Sequence, residues 1–166
     1  LRRTTFYLMA LLVLIMDQWS KHWVARLFQP GDSRDLLPGF FSLTYVRNTG
    51  GAFGILPAGT LALAGAALLA AGAIVVYVTR MKAPLPFLLA VALALPLGGA
   101  LGNFADRVRL RYVVDFFDVH LGIHQWPVFN IADSAICVGV ALLAFYFWRQ
   151  PLAPAPIIPP SVPLER

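Results

Sequence analysis

"VFNIADSAICVGVALLAFYFW", residues 128–148, is the stretch whose reading decides the fold. From Ser134 to Trp148 it carries no formal charge and is almost wholly apolar. That is the pattern of a membrane helix, not of an amphipathic helix on a soluble core. Yet Asp133 stands at its mouth, with Asn130 three residues earlier. A carboxylate where water gives way to lipid is expensive, so it poses a functional question.

Two further runs extend the same reading. Residues 48–79 hold 32 positions without a formal charge, and residues 83–105 hold 23. About 20 apolar residues in a helix cross a hydrocarbon core of roughly 30 Å. Of the 166 residues, 59% are hydrophobic and 13% charged. The charged share is about half that of a typical soluble domain. The expectation is an all-α polytopic membrane protein with four transmembrane helices, at about 6–28, 59–79, 85–106 and 131–148. Residues 1–150 would form a single domain. Six prolines fall in 151–166, which reads as a disordered tail.

Arg2 and Arg3 followed by "TTFYLMALLVLIM" resemble a signal peptide, but "DQWSK" follows in place of a small-residue cleavage site. We read a retained first span. The chain opens on leucine, and its natural start is expected upstream. Between the spans, residues 29–57 form a long connection in which "FFSLTYVRN" (40–48) alternates apolar and polar residues, a strand signal. A small extramembrane β-rich segment is expected in this first outer loop. The link "RMKAP" (80–84) is short and basic, the usual form of a cytoplasmic connection. Both termini are therefore placed in the cytoplasm, and the long loops at 29–57 and 108–128 on the outer face.

The net charge of +5 does not point to nucleic acid, because the basic residues are scattered without interleaved aromatics. They suit membrane flanks and anionic headgroups. Cys137, the single cysteine, has no internal disulfide partner and reads as a buried small hydrophobe. His120 and His124 are four apart, but the intervening "LGI" breaks a helix and no metal site is expected.

Seven of the eight acidic residues are aspartates. With four alternating spans, Asp106, Asp115 and Asp133 gather at one membrane interface. Each has a structural reading on its own. Asp133 or Asn130 fits an N-terminal helix cap. Asp106 has Arg107 beside it as an ion-pair partner. Asp17 and Lys21, four apart on one helix face, neutralise each other. Asp118, among arginines, reads as a solvated rim. Asp115 in "VVDFFDV" has apolar neighbours on both sides and no adjacent base. Together the aspartates say more. Two carboxylates at a partly dry site share a proton, so one can act as general base and the other as general acid. That is the chemistry of an aspartic peptidase. A proton-coupled transporter is the alternative, although such carriers place charges at midplane between inverted repeats.

"DQWSK" (17–21), "RNTGGAFGIL" (47–56), "GGALGNFADR" (98–107), "VVDFFDV" (113–119) and "FNIADS" (129–134) resemble, in order, the motifs of lipoprotein signal peptidase, also called signal peptidase II. One departure is the second glycine of "TGGAFGIL", where alanine is expected. The resemblance implies a bacterial inner-membrane aspartyl protease that removes signal peptides from diacylglyceryl-modified prolipoproteins. Nothing in the motifs calls for a metal or organic cofactor, and nothing demands more than a monomer. It implies a catalytic pair of Asp115 and Asp133, with Asp106 as the competing candidate. Asn103, Arg107 and Asn130 would form a polar shell around them. Asn48 and Gly50 would line the substrate, and Asp17 and Lys21 would support the site.

Overall fold

The computed structural model describes residues 1–51, 59–122 and 124–150. Within them four helices alternate with a small sheet: α1 (Arg3–Leu27), β1 (Ser33–Leu37), β2 (Phe41–Asn48), α2 (Thr60–Arg80), α3 (Phe87–Leu110), β3 (Val113–Leu121), β4 (His124–Gln125) and α4 (Ile131–Trp148). The fourth helix has the bounds expected of it. The third runs four residues beyond the expected Asp106, to Leu110. The proline-rich tail and most of "GGAFGIL" lie outside the described residues.

Three helices, α2, α3 and α4, are long and apolar enough to cross a membrane, with mean hydropathies of 2.4, 1.9 and 1.9. The first is not among them, since Asp17, Gln18 and Lys21 interrupt its second half. Those polar residues turn inward: Asp17 and Lys21 are both buried.

α3 is the central helix and packs against α1, α2 and α4. Its small residues allow this. A side chain at Gly98 would strike the carbonyl of Ala10 and Val13 on α1, and one at Gly99 would strike the carbonyl of Ala132 on α4. Without a hydrophobic drive between helices in lipid, such close backbone approach is how they gain packing energy. Pro96 within α3 finds its space opposite Gly139 of α4. The core on this level is Phe6, Ala10, Ala71, Val78, Leu89 and Leu93 with their neighbours. Large apolar side chains such as Leu8, Leu69 and Trp148 face outward, as a lipid-facing surface requires.

The strands form one antiparallel sheet in the order β1-β2-β3-β4. β2 confirms the strand signal in "FFSLTYVRN", but the sheet is not confined to the first long loop. Its longest strand, β3, comes from the segment after α3. In the β2–β3 register Val46 lies opposite Asp115 and Asn48 opposite Val113, with an irregularity between Leu43 and Val46. Val24, Tyr45, Val114 and Phe116 make a second small core that seats the sheet on the end of α1. The C-cap of α3, Arg111, takes the left-handed conformation with φ 69°, which turns the chain directly into β3. The N-terminus and the α2–α3 link meet at the opposite end of the bundle, where Arg3 Nη2 donates to the Met81 carbonyl at 2.6 Å.

Candidate active site

Asn130 organises the site. It is the N-cap of α4, its side-chain oxygen accepting from the backbone N–H of Asp133 at 2.9 Å. Asp133 returns the bond, Oδ2 accepting from the Asn130 N–H at 3.2 Å. This is a capping box with an aspartate in the third helical position, satisfying donors that would otherwise be orphaned at a helix start. The cap is therefore Asn130, and Asp133 is its reciprocal partner.

The other end of the Asn130 amide turns away from the helix. Its Nδ2 donates to Asp115 Oδ1 at 2.6 Å, with longer contacts to Asn103 Oδ1 and the Val114 carbonyl. One side chain thus ties Asp115 on the strand to Asp133 on the helix. Asn48 Nδ2 reaches Asp115 Oδ2 at 2.9 Å from two positions away on the paired strand, the diagonal reach expected on one face of a sheet. The Gly50 N–H holds Asn48 Oδ1 at 3.0 Å, which fixes that amide with its nitrogen toward the carboxylate. Asn103 Nδ2 donates to Asp133 Oδ1 at 2.8 Å.

Behind this layer lies a buried charge cluster. Lys21 Nζ stands 2.9 Å from Asp17 Oδ2, 3.0 Å from Asp106 Oδ2 and 2.8 Å from Asn103 Oδ1. Asp17 Oδ1 accepts from the Ala132 N–H at 2.9 Å, a second tie to the start of α4. The Asp17–Lys21 pair forms as expected. Asp106 corrects the expectation that Arg107 is its partner: it is held by Lys21, by Gln18 Nε2 at 2.9 Å and by the Val114 N–H at 3.3 Å. Adjacent helical residues point some 100° apart, so they do not face each other. Arg107 instead donates through Nη2 to the Gly50 carbonyl at 3.2 Å.

Two other expectations are overturned. Asp118 is not a solvated rim but buried, accepting from Thr44 Oγ1 at 2.8 Å, with His120 Nε2 at an ion-pair distance of 3.4 Å. Cys137 is exposed on α4.

Asp115, Asp133, Asn48, Asn103 and Arg107 all line one cavity of about 730 Å³, with Trp126, Pro127 and Phe129 among its apolar walls. Asp106 and Asp17 do not line it. Burial, and then the negative charge of Asp133, push the Asp115 carboxyl up to about 7, against the opposing pull of the Asn48 and Asn130 amides and Lys21. A carboxyl that carries a proton near neutrality can serve as a general acid. Gln18 and Thr44, which hold Asp106 and Asp118, were not singled out in the sequence. Gln18 had a signal, since it extends the polar face of Asp17 and Lys21; Thr44 had none. Trp126, on the cavity wall, had none either.

The family described as signal peptidase (SPase) II matches residues 9–149. The chain belongs to that family. Lipoprotein signal peptidases of two bacteria illustrate the likeness. That of Moorella thermoacetica is 48% identical over 84% of this chain and 90% of its own. That of Syntrophus aciditrophicus is 43% identical over 83% of this chain and 88% of its own. A solved bacterial membrane enzyme, determined by the in meso method at 2.3 Å, superposes with a TM-score of 0.80 and 33% identity, over 90% of this chain and 95% of that one. A second, at 1.9 Å, gives 0.79 and 35%, over 89% and 95%. As a signal peptidase II the chain is an aspartic endopeptidase of the bacterial inner membrane, and the transporter alternative is set aside.

Proposed function

We propose that this signal peptidase II cuts diacylglyceryl-modified prolipoproteins just before the lipid-bearing cysteine, using Asp115 and Asp133 as its catalytic pair. The observation that carries the assignment is the shared cavity: these are the two carboxylates of the cluster that line it, while Asp106 and Asp17 are engaged by Lys21 behind. The pair holds one proton between them. Asp115 is the favoured holder and donates it to the scissile carbonyl oxygen. Asp133, as carboxylate, takes a proton from a water whose oxygen attacks the carbonyl carbon. Collapse of the tetrahedral intermediate breaks the C–N bond: the amine leaves with the proton that Asp133 accepted, and one hydroxyl of the gem-diol returns its proton to Asp115 as the carboxyl product forms. The overall reaction adds one water across one amide.

Asn103, Asn130 and Asn48 keep both carboxyls oriented. Arg107, held by the Gly50 carbonyl, faces the substrate backbone, and Asp17 and Lys21 support from behind. We further place the enzyme as a monomer with four spans, α1 included, and both termini in the cytoplasm. Residues 1–150 act as one catalytic domain. The sheet and the catalytic cavity then meet the outer, periplasmic face, where the scissile bond of a lipid-anchored substrate is presented.

Cleavage of a diacylglyceryl lipopeptide by purified wild type, Asp115→Asn, Asp133→Asn and Asp106→Asn tests the pairing. Loss in the first two variants with thermal unfolding unchanged, and partial activity in the third, is the expected result. A dead Asp106→Asn beside an active Asp115→Asn would keep the family and overturn the pair.

A further inference from the structure

A second groove, of about 360 Å³, runs beside the catalytic cavity. Its walls include Ala67 and Ala70 of α2, Pro96 and Ala100 of α3, and Val140 and Leu143 of α4. Along α3 its lining steps by three or four residues, apolar at Leu93, Pro96 and Ala100, then polar at Asn103 and Arg107. Those two residues also line the catalytic cavity, so the two spaces adjoin at their polar end.

Arg107 stands at that junction and is only 8% exposed. Its Nη2 is used on the Gly50 carbonyl, but its Nε has no hydrogen-bond partner among the described residues. A buried charged donor left unpaired is costly, and an oxygen acceptor brought by a ligand removes that cost. The groove therefore combines an apolar channel at membrane depth with one unmet donor at its mouth.

We propose that this groove holds one acyl chain of the substrate's diacylglyceryl group, with its ester carbonyl oxygen accepting from Arg107 Nε. The proposal rests on the peptidase reading above and adds a lipid subsite to it. Chemistry selects the occupant: walls of alanine, proline, leucine and valine offer no polar partner along the apolar length, and the one unmet donor stands where an acyl chain's ester carbonyl would lie. Connectivity agrees, because the glyceryl ester sits a few bonds from the cysteine whose amide is cut. Anchored there, the chain would hold the scissile bond over the carboxylates.

The test is photo-crosslinking to the full-length Asp133→Asn variant in phosphatidylglycerol nanodiscs, with peptide mapping of the label. A diazirine placed mid-chain in a diacylglyceryl lipopeptide should label Ala67, Ala70, Val140 or Leu143. Adding Ala70→Trp, an exposed wall position where bulk does not disturb the core, should abolish that label. Label spread evenly over the outward surfaces of α1 and α2 overturns the proposal. So does equal labelling of the groove by a diazirine phospholipid, which would mean bulk lipid, or stronger labelling by a diazirine in the signal peptide's apolar segment. Dialkyl ether lipopeptides, which lack the carbonyl, should raise KM for wild type about tenfold or more, the worth of one hydrogen bond to a charged donor. An unchanged KM removes Arg107 from the proposal. Wild-type cleavage of the same diacyl lipopeptide separates these outcomes from failure of the peptidase reading itself.

Discussion

Lys21→Met is the perturbation that most directly probes how the site is built. The ammonium sits about equally close to two carboxylates, 2.9 Å from Asp17 and 3.0 Å from Asp106, with all three side chains at most 3% exposed. At an effective dielectric constant of 20, each contact is worth ~5–6 kcal/mol before desolvation and carboxylate repulsion are charged against it. Removing one member of a buried pair typically costs ~3–5 kcal/mol, because an uncompensated charge is left behind. For a chain of this size that lowers the thermal midpoint by ~6–20 °C. Asp106→Asn is a different case, since Lys21 and Asp17 still balance, and it should cost only ~1–2 kcal/mol. The ordering is the informative result. Thermal unfolding of both variants in one detergent, with cleavage of a lipopeptide measured alongside, provides it. Activity should fall with Lys21→Met even in the surviving folded fraction, because Lys21 holds Asn103 Oδ1 and so turns its Nδ2 to Asp133. If Asp106→Asn proves as costly as Lys21→Met, or Lys21→Met melts within ~2 °C of wild type, charge balance does not organise this cluster.

Two more predictions follow from the same geometry. Asp115 holds its proton up to about 7, against an ordinary 3.8. Between those values the folded state binds more protons than the unfolded one, so stability falls as pH rises and levels off above about 7. Cleavage, which needs that proton, should decline with one-proton slope as pH rises through the same upper limit; a rate that keeps climbing well above pH 7 would contradict it. Gly102→Ala would drive a methyl into Asp17 Oδ2. Overpacking of this kind costs ~1–3 kcal/mol, so the midpoint and the cleavage rate should drop together, and a neutral outcome in both would show that α1 can shift freely.

What the sequence made legible, and what it did not, divides by the range of the interaction. Helix α4 was readable to the residue because its apolar run and its Asn-x-x-Asp start are local signals. Strand β2 was readable because one face is buried and the alternation survives. Strand β3 was not, because Val113, Val114, Asp115 and Phe116 are all buried in succession and no period of two remains. The ion partners failed for a related reason. Arg107 looked right for Asp106 as a neighbour in sequence, while the real partner, Lys21, comes from α1. Asp118 looked solvated beside local arginines, and its acceptor role depends on Thr44 from the paired strands. Cys137 reads as buried because free cysteine usually is; in the structure it stands exposed on α4 as part of the cavity lining. The motif residues were found by resemblance, and their grouping around Asn130 emerges only in three dimensions.

The two acids of the proposed pair ride on separate bodies, Asp115 on the sheet and Asp133 on the helical bundle, with the Asn130 amide as the rivet between them. The pair is thus complete only while the sheet is seated on the bundle. Conditions that lift the sheet from the bundle would silence the enzyme while leaving its helices wound. Helix content measured by circular dichroism would then be a poor guide to active fraction, and heat inactivation would run ahead of melting.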